Sequence, residues 1–113
     1  DLHDIGKDLV ASMLEGGGFE VINLGVDVAP AKFVDAARER QADLVCLSSL
    51  ITTTLPSMRA TVRAIREAGL RSGVKVLVGG APVTQRFADE IGADGYGENA
   101  SVAVKKARAL VGA

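Results

Sequence analysis

The stretch Val74-Lys75-Val76-Leu77-Val78-Gly79-Gly80-Ala81-Pro82 decides how the rest of the chain is read. A short β-branched apolar run ending in glycine has the length of a buried strand, too short for a helix. The glycine pair allows a tight turn, and Pro82 suits a first helical turn, where its missing N–H would have no partner anyway. Strand, glycine turn and helix therefore follow one another. Working outward, Phe19–Leu24 and Asp43–Leu47 read as further strands, and Gly92–Tyr96 as a weaker one. Between them lie helical spacings. Residues from about Asp4 to Glu15 place Ile5, Leu9, Met13 and Leu14 on one face, and Gly16-Gly17-Gly18 stops them. A second helix begins at Pro30 and turns Phe33, Val34 and Ala37 inward; a third, from about Thr54 to Leu70, buries Met58, Val62 and Ile65 with Gly69 near its end. The fourth runs from Pro82 to Gly92 and the fifth from about Asn99 to Val111.

Strict alternation of strand and helix implies a parallel sheet covered on both faces. The expected fold is α/β, a doubly wound, Rossmann-like sheet in the flavodoxin-type order. Such domains open on a strand, whereas residues 1–113 open on a loop and a helix. The expectation is a fragment of a longer protein, whose upstream strand would lie centrally, between the second and third.

Composition removes several functions. The chain has 113 residues, a formal charge of -1, one Cys and one His. One Cys cannot form an internal disulfide, and with one His it cannot supply the ligands of a protein zinc site. Near-neutral charge with few aromatics argues against a nucleic-acid surface. No apolar run reaches the roughly 18 residues of a membrane span. A cytoplasmic protein with no membrane and no nucleic-acid partner is expected. No Gly-x-Gly-x-x-Gly or phosphate-binding loop follows a strand, and no nucleophile elbow is present.

In an open parallel sheet, ligands bind beyond the carboxyl ends of the strands. The unusual residues fall in those loops: His3 in Asp1–Gly6, five hydroxyl side chains between Ser48 and Thr54, the Gly79-Gly80 pair, and Gly95-Tyr96-Gly97. Each has a plainer reading. Asp1 can accept the Nδ1 hydrogen of His3 and leave Nε2 free for a metal, or simply cap an ordinary loop histidine. Thr54 can cap a helix, and a tight turn alone would need Gly79 and Gly80. Cys46, in mid-strand, reads as a small buried hydrophobe.

Together, Asp1-Leu2-His3-Asp4-Ile5-Gly6, Ser48-Ser49-Leu50 and Gly79-Gly80 resemble the DxHxxG, SxL and GG signature of cobalamin-binding domains. The resemblance covers essentially the whole chain. It is nearest to the corrinoid proteins of methyltransferase systems and to the cobalamin domain of methionine synthase; Thr52-Thr53-Thr54 and Ala81-Pro82 look more like the former. It implies cobalamin bound base-off, with His3 taking the lower axial position on cobalt. Asp1 would hold the imidazole and Thr54 would complete a relay to that carboxylate. Gly6 would let its loop pass under the corrin, while Ser48, Leu50, Gly79 and Gly80 would line a slot for the nucleotide tail. Asp4, Ile5, Thr52, Ala81, Tyr96 and Gly97 join the expected cofactor contacts. The implied role is a methyl carrier, with methylcobalamin as its loaded form. Such a carrier serves a substrate-specific methyltransferase, an acceptor methyltransferase and a reductive activase, and has a helical-bundle cap domain upstream. The alternatives are the cobalamin domain of an adenosylcobalamin-dependent mutase or of a cobalamin-dependent regulator, and a cofactor-free interaction domain.

Overall fold

The computed structural model describes residues 2–24, 28–49, 52–70 and 74–111, with side chains from residue 8 onward. In chain order the elements are α1 (Leu2–Gly16), α2 (Pro30–Glu39), β1 (Leu44–Ser48), α3 (Leu55–Glu67), β2 (Lys75–Gly79), α4 (Gln85–Ile91), β3 (Gly95–Gly97) and α5 (Ala100–Val111). A 3-10 turn over Thr52–Thr54 leads into α3. The strands form one parallel sheet in the order β1-β2-β3. Leu44 pairs with Lys75 and Ser48 with Gly79, and Gly79 is in turn opposite Gly97. The carboxyl ends of all three strands are therefore level.

Alternation along the strands sorts the core into two layers, because successive side chains point to opposite faces. Val45, Leu47, Val74, Val76 and Val78 pack with Val34 and Ala37 of α2, Met58, Val62 and Ile65 of α3, and Ala88 of α4. On the other face Leu77 joins Leu14 of α1 and Ala103 and Ala107 of α5. Each fully buried Val, such as Val62, Val76 or Val78, contributes about 1.5–3 kcal/mol through burial. Helices on both faces of a parallel sheet make the fold doubly wound, as the alternation requires.

The structure corrects four boundaries. Phe19–Leu24 forms no strand. Its composition suits one, but a strand needs a ladder partner, and among the described residues none lies beside it. Residues 2–6 are helical, not a loop; once a helix is nucleated, each added residue gains one hydrogen bond, and Gly6 alone does not stop it. The fourth helix begins at Gln85, not Pro82, because the Thr84 hydroxyl accepts from the Phe87 N–H and fixes the N-cap there. The last strand is Gly95–Gly97, with Gly92 closing α4 in the left-handed conformation.

No helix among the described residues is long and apolar enough to cross a membrane.

Candidate functional site

The outer edge of β1 pairs with no other described strand, and a cavity of about 1670 Å³ wraps around it. One part is apolar, bounded by Leu9 and Leu14 of α1, Val21 and Ile22 of the following segment, and Phe33 of α2. Leu9 is 55% exposed and Ile22 40%. The other part lies at the carboxyl ends of the strands and is polar: Ser48, Ser49, Thr53, Thr54 and Ser57 on one side, Gly79, Gly80 and Ala81 on another, and Gly97 and Asn99 on a third. All three carboxyl-end loops thus meet at one place.

Among the expected contacts, Ser48, Thr54, Gly79, Gly80, Ala81 and Gly97 line this cavity. Tyr96 packs against the core layer of α2, α3 and α4 instead. Thr52 is exposed in the 3-10 turn and is not part of the lining. Asp1 and Leu50 lie outside the described residues. His3, Asp4, Ile5 and Gly6 are placed by their backbone in α1, and their side chains lie outside the description.

Two side chains have surroundings that the sequence did not disclose. Thr54 occupies the N-cap position of α3, yet its side chain makes no capping bond. Its Oγ1 is hydrogen-bonded to Ser49 Oγ instead. Ser49 is only 3% exposed and its N–H donates to the Gly79 carbonyl at 3.1 Å. The sequence held the signal for this: counting by twos from Val45 and Leu47 puts residue 49 on the buried face.

Cys46 is accessible, not buried. It shares the cavity-facing side of β1 with Leu44 and Ser48. Protein atoms still crowd the thiol at the cavity floor, and burial pushes its pKa up to about 11.

Gly80 has a different reason for being glycine than room for a ligand. Its φ is +118°, and a Cβ there would lie 1.8 Å from the Ser49 carbonyl oxygen. The main chain of Ser49 already occupies the space. Gly79 is comparably close to the β3 loop, since its Cβ would meet the Gly97 carbonyl oxygen at 2.8 Å. The glycine pair interlocks the three loops.

Comparison with known proteins gives a consistent picture. A family model described as the B12 binding domain matches residues 1–105. Dimethylamine corrinoid protein 1 of Methanosarcina acetivorans is 54% identical over 111 residues, which are 98% of this chain and 52% of that protein. The chain thus spans about half the length of this curated relative. A cobalamin-binding protein from Desulfitobacterium hafniense superposes with a TM-score of 0.91 at 43% identity, over 98% of this chain and 54% of the other. A chain of the methanol:cobalamin methyltransferase complex of Methanosarcina barkeri does so with a TM-score of 0.89 at 31% identity, over 99% of this chain and 43% of that one.

Proposed function

Since the chain belongs to the B12-binding domain family, we propose that it is the cobalamin-holding part of a corrinoid methyl carrier. One observation supports this reading above others: the three carboxyl-end loops converge on one large cavity, at the strand ends where an open parallel sheet binds its ligand. The residues fit the group. Ser48, Thr54 and Asn99 supply hydrogen-bonding groups, while Gly79, Gly80 and Gly97 bring backbone to the cavity wall.

In this reading cobalamin is held base-off, and His3 is the lower axial ligand through Nε2. Asp1 accepts the Nδ1 hydrogen, which fixes the tautomer and leaves Nε2 unprotonated for the metal. The Thr54 hydroxyl completes the relay to that carboxylate. Ser48, Leu50 and the glycine pair border the nucleotide tail, and Asp4, Ile5, Gly6, Ala81 and Gly97 complete the proposed surroundings. When bound, the cofactor supplies a cobalt centre able to accept a methyl group and pass it on; the protein supplies position and axial ligation.

The carrier would exchange methyl groups with a substrate-specific methyltransferase and an acceptor methyltransferase, and a reductive activase would restore it. In the intact protein a parallel strand from before Asp1 would pair with the open edge of β1, with a helical-bundle cap domain further upstream. Support for the strand comes from the unpaired edge and the exposed Leu9 and Ile22 around it.

Hydroxocobalamin mixed with the intact protein and passed through gel filtration tests the reading. The protein fraction should carry a base-off, histidine-ligated absorption spectrum. His3→Ala should lose that axial bond while keeping part of the binding. Cobalamin that elutes separately overturns the assignment, and a His3→Ala spectrum equal to the parent's removes His3 from cobalt.

A further inference from the structure

Where the three carboxyl-end loops meet, Glu98 is the one charged residue among the described residues of the cavity wall. Its neighbours there are hydroxyls, glycines, Ala81 and the Asn99 amide. The other charged lining residues belong elsewhere. Glu39, Arg40 and Asp43 lie where α2 ends and β1 begins, at the far end of the sheet, and Glu20 lies just past α1.

The backbone holds Glu98 in place from both sides. Gly97 before it is buried against α5, so closely that a Cβ there would lie 2.8 Å from the Ala103 Cβ. Asn99 after it is fixed by two bonds into the same helix: its Oδ1 accepts the Val102 N–H at 2.9 Å, and its carbonyl accepts the Ala103 N–H at 2.9 Å. Between these anchors the Glu98 side chain is exposed on the cavity wall. Among the described residues no cation pairs with it. A negative group before α5 also suits the positive end of that helix. That role, however, asks for no place on a cavity wall.

A corrinoid carries carboxamides around its ring, and incomplete amidation or hydrolysis leaves a carboxylate in place of one of them. A carboxamide N–H can donate to a carboxylate oxygen; a second carboxylate can only repel it. We propose that Glu98 is a specificity-determining residue, which makes the cavity reject corrinoids bearing a peripheral carboxylate in favour of fully amidated ones. The proposal rests on the cofactor reading above. Two like charges about 6 Å apart at a solvent-exposed rim repel enough to change affinity about three- to tenfold.

The experiment measures the affinity of the intact protein, at neutral pH, for hydroxocobalamin and for each of the monocarboxylic acids that mild acid hydrolysis of its propionamides gives. The parent is compared with Glu98→Gln and Glu98→Ala. The parental preference for hydroxocobalamin over at least one monoacid should fall about fivefold in both variants. Glu98→Gln keeps an acceptor oxygen and should bind hydroxocobalamin within about threefold of the parent. About 1 M salt, with a screening length of about 3 Å, should shrink the preference in the parent and leave it unchanged in Glu98→Gln. A residue that only supports α5 would weaken every corrinoid alike and leave the ratio unmoved. A ratio unchanged in both variants for every monoacid, or a parental preference indifferent to salt, therefore overturns the role of Glu98 while leaving the cofactor reading intact. A parent that binds no corrinoid overturns the cofactor reading itself, and the role of Glu98 with it.

Discussion

The two ends of the sheet satisfy their polar groups in opposite ways. At the amino end they close on one another. Arg66, in the last turn of α3, donates through Nη2 to the Asp94 carboxylate at 2.7 Å and to the Gly92 carbonyl at 2.9 Å. The same Asp94 oxygen accepts the Val76 N–H at 2.7 Å, and Arg38 covers the Ala68 carbonyl at the end of α3. Charge there caps helix ends and starts strands. At the carboxyl end the polar groups are mostly hydroxyls and amides on a cavity wall, with Glu98 beside them, and the loops are joined by close glycine contacts. An end that only holds the fold pairs its polar groups among themselves. An end that receives a ligand needs rigid backbone and leaves side chains facing open space.

The comparison breaks most readily at Gly80. In Gly80→Ala the new Cβ would lie 1.8 Å from the Ser49 carbonyl oxygen, on a backbone at φ +118°. The clash is with main chain in a packed loop, so both strain and overpacking contribute. We expect a loss of at least about 3 kcal/mol, seen in urea unfolding as a lower midpoint at unchanged slope. A stability within 1 kcal/mol of the parent would show that the loops are not interlocked.

Cys46 sharpens the contrast through its thiol. With a pKa near 11 against an ordinary 9.0, its thiolate fraction at pH 8 is about a hundredfold lower than that of a free thiol. Alkylation by iodoacetamide should be slow at that pH and climb towards pH 11. The sign for stability follows. The folded protein holds the proton more tightly than the unfolded chain, so the contribution is complete below pH 9 and is lost as pH rises towards 11. An alkylation midpoint near 9 would place the thiol in bulk solvent, not on a cavity floor.

The sequence discloses these two ends unequally. Strands β1 and β2 were legible because they bury a full apolar face between helices, which leaves a compositional mark. Phe19–Leu24 carries the same mark and forms no strand, since composition reports suitability for a ladder and not the presence of a partner. Pro82 misplaced a helix start because proline fits a turn as well as a first helical turn; the Thr84 hydroxyl decided between them. The convergence of Ser48, Thr54, Gly79, Gly80 and Gly97 was readable, because the carboxyl ends of parallel strands share one edge. The reason for Gly80 was not, since a contact between two main chains leaves no trace in residue type beyond the glycine itself. The amino-end network of Arg66 and Asp94 was not legible either, for the two are joined only when α3 and β3 pack.

That network is the next test. Asp94→Ala leaves the Val76 N–H without its side-chain acceptor and Arg66 without its carboxylate. Arg66 and Asp94 are 40% and 25% exposed, so the ion pair itself adds little. The cost of the lost backbone acceptor should dominate, at about 1–3 kcal/mol. Corrinoid affinity should stay at the parental value. A variant that folds as stably as the parent, or that binds the corrinoid more weakly, would mean that the amino end is not a purely structural counterpart of the cavity.

The smallest expected effect compares two helix caps of one chemistry on either side of the boundary. Thr84 Oγ1 accepts the Phe87 N–H at 3.0 Å to begin α4, and Asn99 Oδ1 accepts the Val102 N–H at 2.9 Å to begin α5. Replacing either by Ala removes one cap bond and should cost about 1 kcal/mol. Equal cost is expected because both caps are exposed and both helices are short. Only Asn99 lines the cavity. Its NH₂ group is not consumed by the cap, which uses the oxygen, so it remains available to a ligand. Asn99→Ala should therefore weaken corrinoid binding a fewfold in addition to its effect on stability, whereas Thr84→Ala should lower stability alone. If both variants lose affinity in proportion to stability, Asn99 is a cap and nothing more, and the cavity's third side contributes shape without recognition.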